Sequence, residues 1–166
     1  MKTTFEITYP ASLEKVVEVL GDAAFLTARI EQQFTNDPEG IKYAGKVLPS
    51  EQGFVAVTDL EATVEALRLP PIAGKFIPPT GVKLQVRDEW DTSNNTGIIE
   101  VDAGGLPVSV KGFSKLVPEG GATKRIIDLE VKVSIPLFGK KIEQLVVDNL
   151  ESVIRLETQA FESFIS

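Results

Sequence analysis

The chain contains 166 residues, 43% of them hydrophobic, and its 24 acidic and 17 basic residues give a formal charge of −7. This size and composition predict a single domain spanning residues 1–166 with a sizeable core, and the scattered basic residues disfavour nucleic acid as a partner. Histidine and cysteine are both absent, which removes the nucleophile systems and most of the zinc sites that use them. We predict neither a metal site nor a cofactor.

Membrane and export signals are missing from the sequence. No stretch reaches the roughly 18 consecutive apolar residues of a membrane-spanning helix. The opening segment MKTTFEITYP lacks the apolar core of a secretion signal. Since the lack of cysteine also suits a reducing compartment, we expect a cytoplasmic protein without a transmembrane segment.

The first elements are a strand and two helices. The segment KTTFEIT alternates apolar and polar residues, as a strand does, and Pro10 ends it. In SLEKVVEVLGD, Ser12 is placed to cap a helix that Gly21 terminates. A second helical spacing follows in AAFLTARIEQQF. Two short helices are therefore predicted after strand one.

From Gly40 to Ile135 several extended runs alternate with turn-rich pieces such as DTSNNTG and PEGGAT. Such short connections favour antiparallel pairing. A helix from about Leu137 to Phe164, about 40 Å long at 1.5 Å per residue, closes the chain. The predicted fold class is α+β: a curved antiparallel sheet of six to seven strands wrapped around a long C-terminal helix, with two short helices after strand one.

The closing helix carries an apolar stripe through Ile142, Val146, Leu150 and Val153, which a curved sheet is broad enough to cover. In FVAVTDLEATVEA, alternation predicts one inward row: Phe54, Ala56, Thr58, Leu60, Ala62, Val64 and Ala66. Most of this row is small. It therefore predicts an interior void suited to an apolar ligand, the alternative being that phenylalanine side chains opposite fill the space.

The last strand, RIIDLEVKVSI, passes through PLFG into the closing helix, with Pro136 and Gly139 turning the chain. Lys140 and Lys141 then fall in the first helical turn, where the helix dipole disfavours cations. One interpretation is contact with an anion, such as a lipid head group or a substrate carboxylate. The other is that both ammonium groups lie in water while Glu143 offsets the field.

The element order, with VSIPLFGKKIE leading into the helix, resembles the START-like (SRPBCC, helix-grip) superfamily, which includes birch-pollen-allergen-like proteins and polyketide cyclases. The segment GLPVSVKG, followed by VKVSIPLFGKKIEQLV, is similar to a bacterial branch of it. The resemblance covers essentially the whole chain and brings no catalytic signature. It implies a cavity between the sheet and the closing helix that holds a hydrophobic small molecule.

The pattern and the resemblance together give a set of expected cavity residues. They are Ala56, Thr58, Leu60, Ala62, Phe76, Ile77, Val86, Trp90, Ile99, Leu129, Phe138, Ile142, Val146, Asn149, Leu150 and Val153. Asn149 borders the helical stripe, so it either orients a ligand or bonds to a strand backbone. The proline-rich loop 69–81 carries Ile72, Phe76 and Ile77, either as a gate over the cavity or as packing on the rim.

Three functions follow. The leading one is binding or carriage of a lipid-like or polyketide-like molecule without catalysis. The second is a cyclase- or dehydratase-like enzyme acting on a bound polyketide-like substrate, for which Tyr9, Tyr43 and Asn149 are the polar candidates. The third is a module that binds a partner protein through the loop 69–81. The sequence predicts no catalytic residue for the leading function.

Overall fold

One seven-stranded antiparallel sheet and a long C-terminal helix dominate the computed structural model, which describes residues 1–166. The strands are β1 (Lys2–Tyr9), β2 (Ile41–Pro49), β3 (Gly53–Ala62), β4 (Val82–Asp91), β5 (Thr96–Asp102), β6 (Val108–Glu119) and β7 (Ala122–Val133). The helices are α1 (Leu13–Leu20), α2 (Ala23–Gln33), α3 (Val64–Leu67), α4 (Pro71–Gly74) and α5 (Gly139–Ile165), with a 3-10 turn at Pro38–Gly40. The strand order is β1-β7-β6-β5-β4-β3-β2, which confirms the predicted α+β class.

The first helices begin and end where the sequence predicts. The Ser12 side chain accepts a hydrogen bond from the Lys15 backbone N–H at 3.3 Å, and Gly21 closes α1. Asp22 caps α2 in the same way by accepting from the Ala24 N–H at 2.9 Å. These side chains satisfy backbone donors that a helix start leaves free, so two helices form with almost no linker between them.

The predicted strand through Ala66 is wrong in its last part, because β3 ends at Ala62. The Thr63 hydroxyl accepts a hydrogen bond from the Ala66 N–H at 3.2 Å and starts the short helix α3. Val64 and Ala66 therefore leave the inward row of the sheet. The loop 69–81 also contains a helical turn, α4, and β7 ends at Val133 instead of Ile135.

The helices hold both edges of the sheet. Helix α5 packs on β1 and β7 at one edge, whereas α2 packs on β2 and β3 at the other. Because α2 and α5 also contact each other, the sheet has to curve around them. The inner faces of the central strands β4 and β5 then lie across from the helix pair. This geometry defines the interior in which a ligand site is expected.

Two apolar clusters fill the interior. The first core joins α1, α2, α5 and strands β1, β4, β6 and β7, and it contains Phe25, Trp90, Val131 and Phe161. The second core is smaller and lies between α2, α3 and strands β2 to β4, with Ile30, Leu60 and Val82 among its members. The sheet connects the two.

Candidate functional site

A row of apolar side chains in the interior, most of them packed against the first core, is only half-buried. On the inner face, Val86 of β4 pairs in register with Thr58 of β3 and Val101 of β5. Val86, Val101 and the adjacent Ile99 remain partly accessible, although Thr58 beside them is buried. On α5, Val146 and Leu150 are half-buried in the same way. We call these five apolar side chains the half-buried row.

The expected cavity residues fall into three groups. Buried members are Ala56, Thr58, Leu60, Ala62, Trp90, Leu129 and Ile142. Half-buried members are Phe76, Ile77, Val86, Ile99, Val146, Leu150 and Val153. Exposed members are Phe138 and Asn149. The inward row of β3 does contain small side chains, as predicted. One of them, Ala56, pairs with Asp88 of β4.

Four of the predicted polar side chains point away from the interior. Asn149 is exposed, because it lies roughly a quarter turn from the centre of the buried face of α5. Tyr43 donates its hydroxyl to the Glu31 carboxylate at 2.6 Å on the surface. Lys140 and Lys141 are both exposed as well. Tyr9 alone among the predicted polar candidates is buried.

A buried ion pair lies inside the sheet, between β7 and β4. Arg125 places its Nη2 at 3.1 Å from Oδ2 of Asp88, and both residues are buried. The guanidinium also donates to the Ser114 hydroxyl, from Nε at 3.1 Å and from Nη2 at 3.0 Å. Its carbon lies 4.9 Å from the ring centre of Trp90, which adds a cation–π contact.

Electrostatics keep this arginine charged. Burial alone lowers the pKa of Arg125, but the Asp88 carboxylate outweighs it, and Tyr9 and Glu157 act in the same direction, so that the pKa lies above its ordinary value. Arg125 is therefore a permanent cation in the interior of the protein.

Tyr9 and Glu157 extend the polar cluster towards the helices. Burial raises the pKa of Tyr9 from 10.0 to about 12, and the nearby Glu157 carboxylate acts in the same direction, whereas Arg125 and Arg29 oppose it. Glu157 of α5 forms an ion pair with Nε of Arg29 of α2 at 3.2 Å. The guanidinium of Arg29 in turn lies 4.6 Å above the ring of Phe25. Tyr9 is thus a neutral hydroxyl group between a buried ion pair and a partly buried one.

Several polar atoms of this cluster are buried without a hydrogen-bond partner: the Tyr9 hydroxyl, Oδ1 of Asp88, Nε1 of Trp90 and, in the Arg29–Glu157 ion pair, Nε and Nη2 of Arg29 and Oε1 of Glu157. The Tyr9 hydroxyl lies near Arg125 but makes no well-aligned bond to it. Buried polar groups are nearly always paired in native proteins, so unpaired ones call for a partner such as an ordered water, an ion or a ligand. Beside the half-buried row, the unpaired atoms of Asp88, Trp90 and Tyr9 offer one acceptor, one donor and one hydroxyl that can do either.

The alternation of the strands contains a signal for this cluster, because two charged residues occupy inward positions among apolar ones. Arg125 has the same strand parity as Ile127, and Asp88 has the same parity as Val86. The acidic residues beside Trp90 point to different sides, since Asp88 is buried and Glu89 is exposed. Strand parity therefore indicates that each of these two charged side chains points inward, although parity alone does not indicate that they pair.

The loop 69–81 meets the turn before α5. The ring of Phe76 lies 6.0 Å from that of Phe138, whereas Ile77 packs against the second core. Ile72 is half-buried. The segment thus covers the end of the sheet where β3, β4 and β7 join their loops.

No helix of the protein has the length and apolar character needed to cross a membrane. No group of three or more acidic side chains is arranged to hold a metal ion.

Comparison with known proteins identifies the family and the fold. Residues 4–165 match the model of the family described as Protein of unknown function (DUF2505). No curated protein matches the sequence.

Solved structures resemble the whole chain at low sequence identity. TTHA0849 from Thermus thermophilus is 19% identical with a TM-score of 0.64 over 100% of both chains. The Zhui aromatase/cyclase from Streptomyces sp. R1128 is 13% identical with a TM-score of 0.63, over 100% of this chain and 96% of the other. A START superfamily protein from Mycobacterium smegmatis is 15% identical with a TM-score of 0.61, over 98% of both chains. The chain therefore belongs to the DUF2505 family and has the helix-grip fold of the START-like superfamily.

Proposed function

We propose that the protein binds a hydrophobic small molecule, lipid-like or polyketide-like, between the inner face of the sheet and α5. The observation that carries the proposal is the half-buried row. Its apolar side chains face the interior but remain partly accessible, whereas the members of the two cores are buried. Apolar surface left open inside a fold gains stability when a ligand covers it. The START-like fold supports the same assignment.

The buried polar cluster supports a ligand with one polar end. Asp88 adjoins the half-buried row, since it pairs with Ile99 of β5 and lies two residues from Val86 on β4. Its free Oδ1 accepts a hydrogen bond, and the neutral Tyr9 hydroxyl donates one or accepts one. Because Arg125 already has Asp88 as its counterion, the ligand group that fits here is a hydroxyl or a carbonyl, not a second carboxylate.

Ligand binding is tested by native mass spectrometry and solvent extraction of the protein purified from its own host, followed by titration with fluorescent fatty-acid and aromatic probes. We expect a co-purified apolar molecule or saturable probe uptake. Val101→Trp places a large ring in the half-buried row and should lower probe affinity about tenfold or more, because the ring occupies the volume that the probe needs. Ile98→Trp is the matched control.

Ile98 lies nearby in the same strand but on the outer face, where it is 52% exposed, so its substitution should leave probe uptake unchanged. Circular dichroism establishes that both variants fold. A wild-type protein that carries no ligand and excludes every probe contradicts the proposal. Equal effects of the two tryptophan variants contradict the assigned position.

A further inference from the structure

The most exposed apolar side chain of the protein lies in the turn that precedes α5. Leu137 is 99% exposed and the adjacent Phe138 is 43% exposed. Phe138 contacts Phe76 of the loop 69–81, which brings the two segments together at one end of the molecule. We call residues 69–81 and 134–142 the tip.

The backbone holds Leu137 outward at an energetic cost. Its φ of 69° lies in the left-handed region, which a branched apolar side chain rarely adopts and which Gly or Asn adopts readily. A leucine in this conformation gains nothing from packing, because its side chain is in solvent. Residues that break local rules without a structural gain mark places where another function is served.

The charge of the tip is opposite to that of the whole protein. The chain has a formal charge of −7, yet the tip contains Lys75, Lys140 and Lys141 and no acidic residue. The nearest carboxylate in sequence, Glu143, is turned away, since it accepts the Val133 N–H at 3.2 Å and lies 3.5 Å from the N-terminal ammonium group. Exposed apolar side chains that are accompanied by lysines and by no carboxylate in the same segments are complementary to an anionic lipid surface.

We propose that the tip docks the protein on anionic membranes, with Leu137 and Phe138 entering the headgroup layer and the three lysines contacting lipid phosphates and carboxylates. This inference does not rest on the proposed ligand site, because docking requires only the exposed tip. It also explains the positions of Lys140 and Lys141, which are unfavourable for the helix and favourable for an anionic surface.

Sedimentation with sucrose-loaded vesicles tests the docking, using phosphatidylcholine alone and phosphatidylcholine with phosphatidylserine. We expect binding to the anionic vesicles that weakens with salt. Leu137→Asn should reduce binding about tenfold or more, since the leucine side chain loses its apolar contact with lipid. Lys140→Glu/Lys141→Glu should reduce it by at least about thirtyfold, because each lysine near an anionic surface contributes about fivefold.

Matched controls lie far from the tip. Leu48→Asn changes a leucine that is 44% exposed at the opposite end of the sheet, and Lys46→Glu/Lys115→Glu makes the same charge change on exposed strand positions. Both control variants should bind anionic vesicles nearly as well as the wild type does. Thermal melting excludes unfolding as a cause, because asparagine fits the backbone at position 137 without strain.

The proposal is overturned if the protein fails to bind anionic vesicles, or if the tip variants and their controls lose binding equally. If vesicles do not bind but Leu137→Asn abolishes capture of a protein from host lysate, the tip is a protein-docking surface instead. Probe uptake by the same variants separates this result from the ligand site: loss of docking with normal uptake leaves the proposed function intact.

Discussion

At the scale of single residues, the buried pair of Arg125 and Asp88 is the feature that most constrains the interior. Removing two charges from water costs several kcal/mol per ion, and their attraction offsets this only when geometry and further hydrogen bonds are favourable. Ser114 and Trp90 provide those contacts to Arg125, but one oxygen of Asp88 remains unpaired. The cost of burying Asp88 is therefore only partly offset by hydrogen bonds.

Removal of one partner is expected to be much more harmful than removal of both. Asp88→Leu leaves Arg125 charged and unpaired in the core and should lower the free energy of unfolding by about 3–5 kcal/mol. The double variant Asp88→Leu/Arg125→Met should recover most of that loss, because no buried charge is left. Urea unfolding of the two single variants, the double variant and the wild type gives the coupling energy. Additive effects would show that the charges do not interact.

Tyr9 makes stability depend on pH at the alkaline end. Its pKa is raised from 10.0 to about 12 in the folded protein, so the unfolded chain releases this proton first. The stabilisation is therefore complete below about pH 10 and is lost as pH rises towards about 12, by an amount on the order of 2–3 kcal/mol for a fully buried group.

The matched variant is Tyr9→Phe. Subtracting its urea-unfolding curves from those of the wild type, at intervals from about pH 8 to about pH 12, removes the common contribution of the lysines. The difference should decline above about pH 10. A difference that stays constant across this range would mean that the Tyr9 hydroxyl ionises as readily in the folded protein as in the unfolded one.

The sequence predicted inward positions better than it predicted their chemistry. Alternation located Val86, Trp90 and Leu129 on the inner face, and the structure agrees. The same parity includes Asp88 and Arg125, but a single charged residue at an inward position does not reveal its partner. The pairing depends on strand order, which brings β4 and β7 to face each other across the curve of the sheet.

At the scale of elements, local signals fixed the helix starts and failed where two signals overlap. Ser12 and Gly21 bound α1 as their residue types predict. In β3 the alternation continues formally through Val64 and Ala66, yet Thr63 caps a helical turn and ends the strand. Periodicity over three or four residues fits either structure, so the side-chain cap decides the outcome.

Helix α5 begins with an electrostatic defect that can be repaired. Lys140 and Lys141 lie in its first turn, and the helix has no side-chain cap and no acidic residue there. Lys140→Glu/Lys141→Glu should raise the free energy of unfolding by about 0.3–1 kcal/mol per site at low salt, because carboxylates interact favourably with the helix N-terminus. Thermal melting at low and high salt measures the effect.

Lys46→Glu/Lys115→Glu is again the control for the change in net charge. It should be neutral or slightly destabilising, since it adds negative charge to an acidic protein away from any helix start. If both double variants change stability equally, the dipole explanation of α5 is wrong. A stabilised Lys140/Lys141 variant that no longer binds vesicles would show that this position is selected for docking and not for folding.

At the scale of the whole molecule, the question is whether the two cores unfold together. The first core contains Trp90, the only tryptophan, and the second contains Leu60. Leu60 lies on β3 and Trp90 on β4, and these two strands pair along their whole length. The shared sheet should transmit a loss of stability from one core to the other, as expected of the single domain that chain length predicts.

Leu60→Ala tests this coupling. Truncating a buried leucine costs about 2–5 kcal/mol, so the urea midpoint should fall substantially. If the domain is one cooperative unit, Trp90 fluorescence in the first core and far-UV circular dichroism should report the same lower midpoint, although Leu60 belongs to the other core. Leu48→Ala, on the exposed side of β2, should shift neither. A fluorescence midpoint that stays at its wild-type value while the dichroism midpoint falls would mean that the two cores unfold independently.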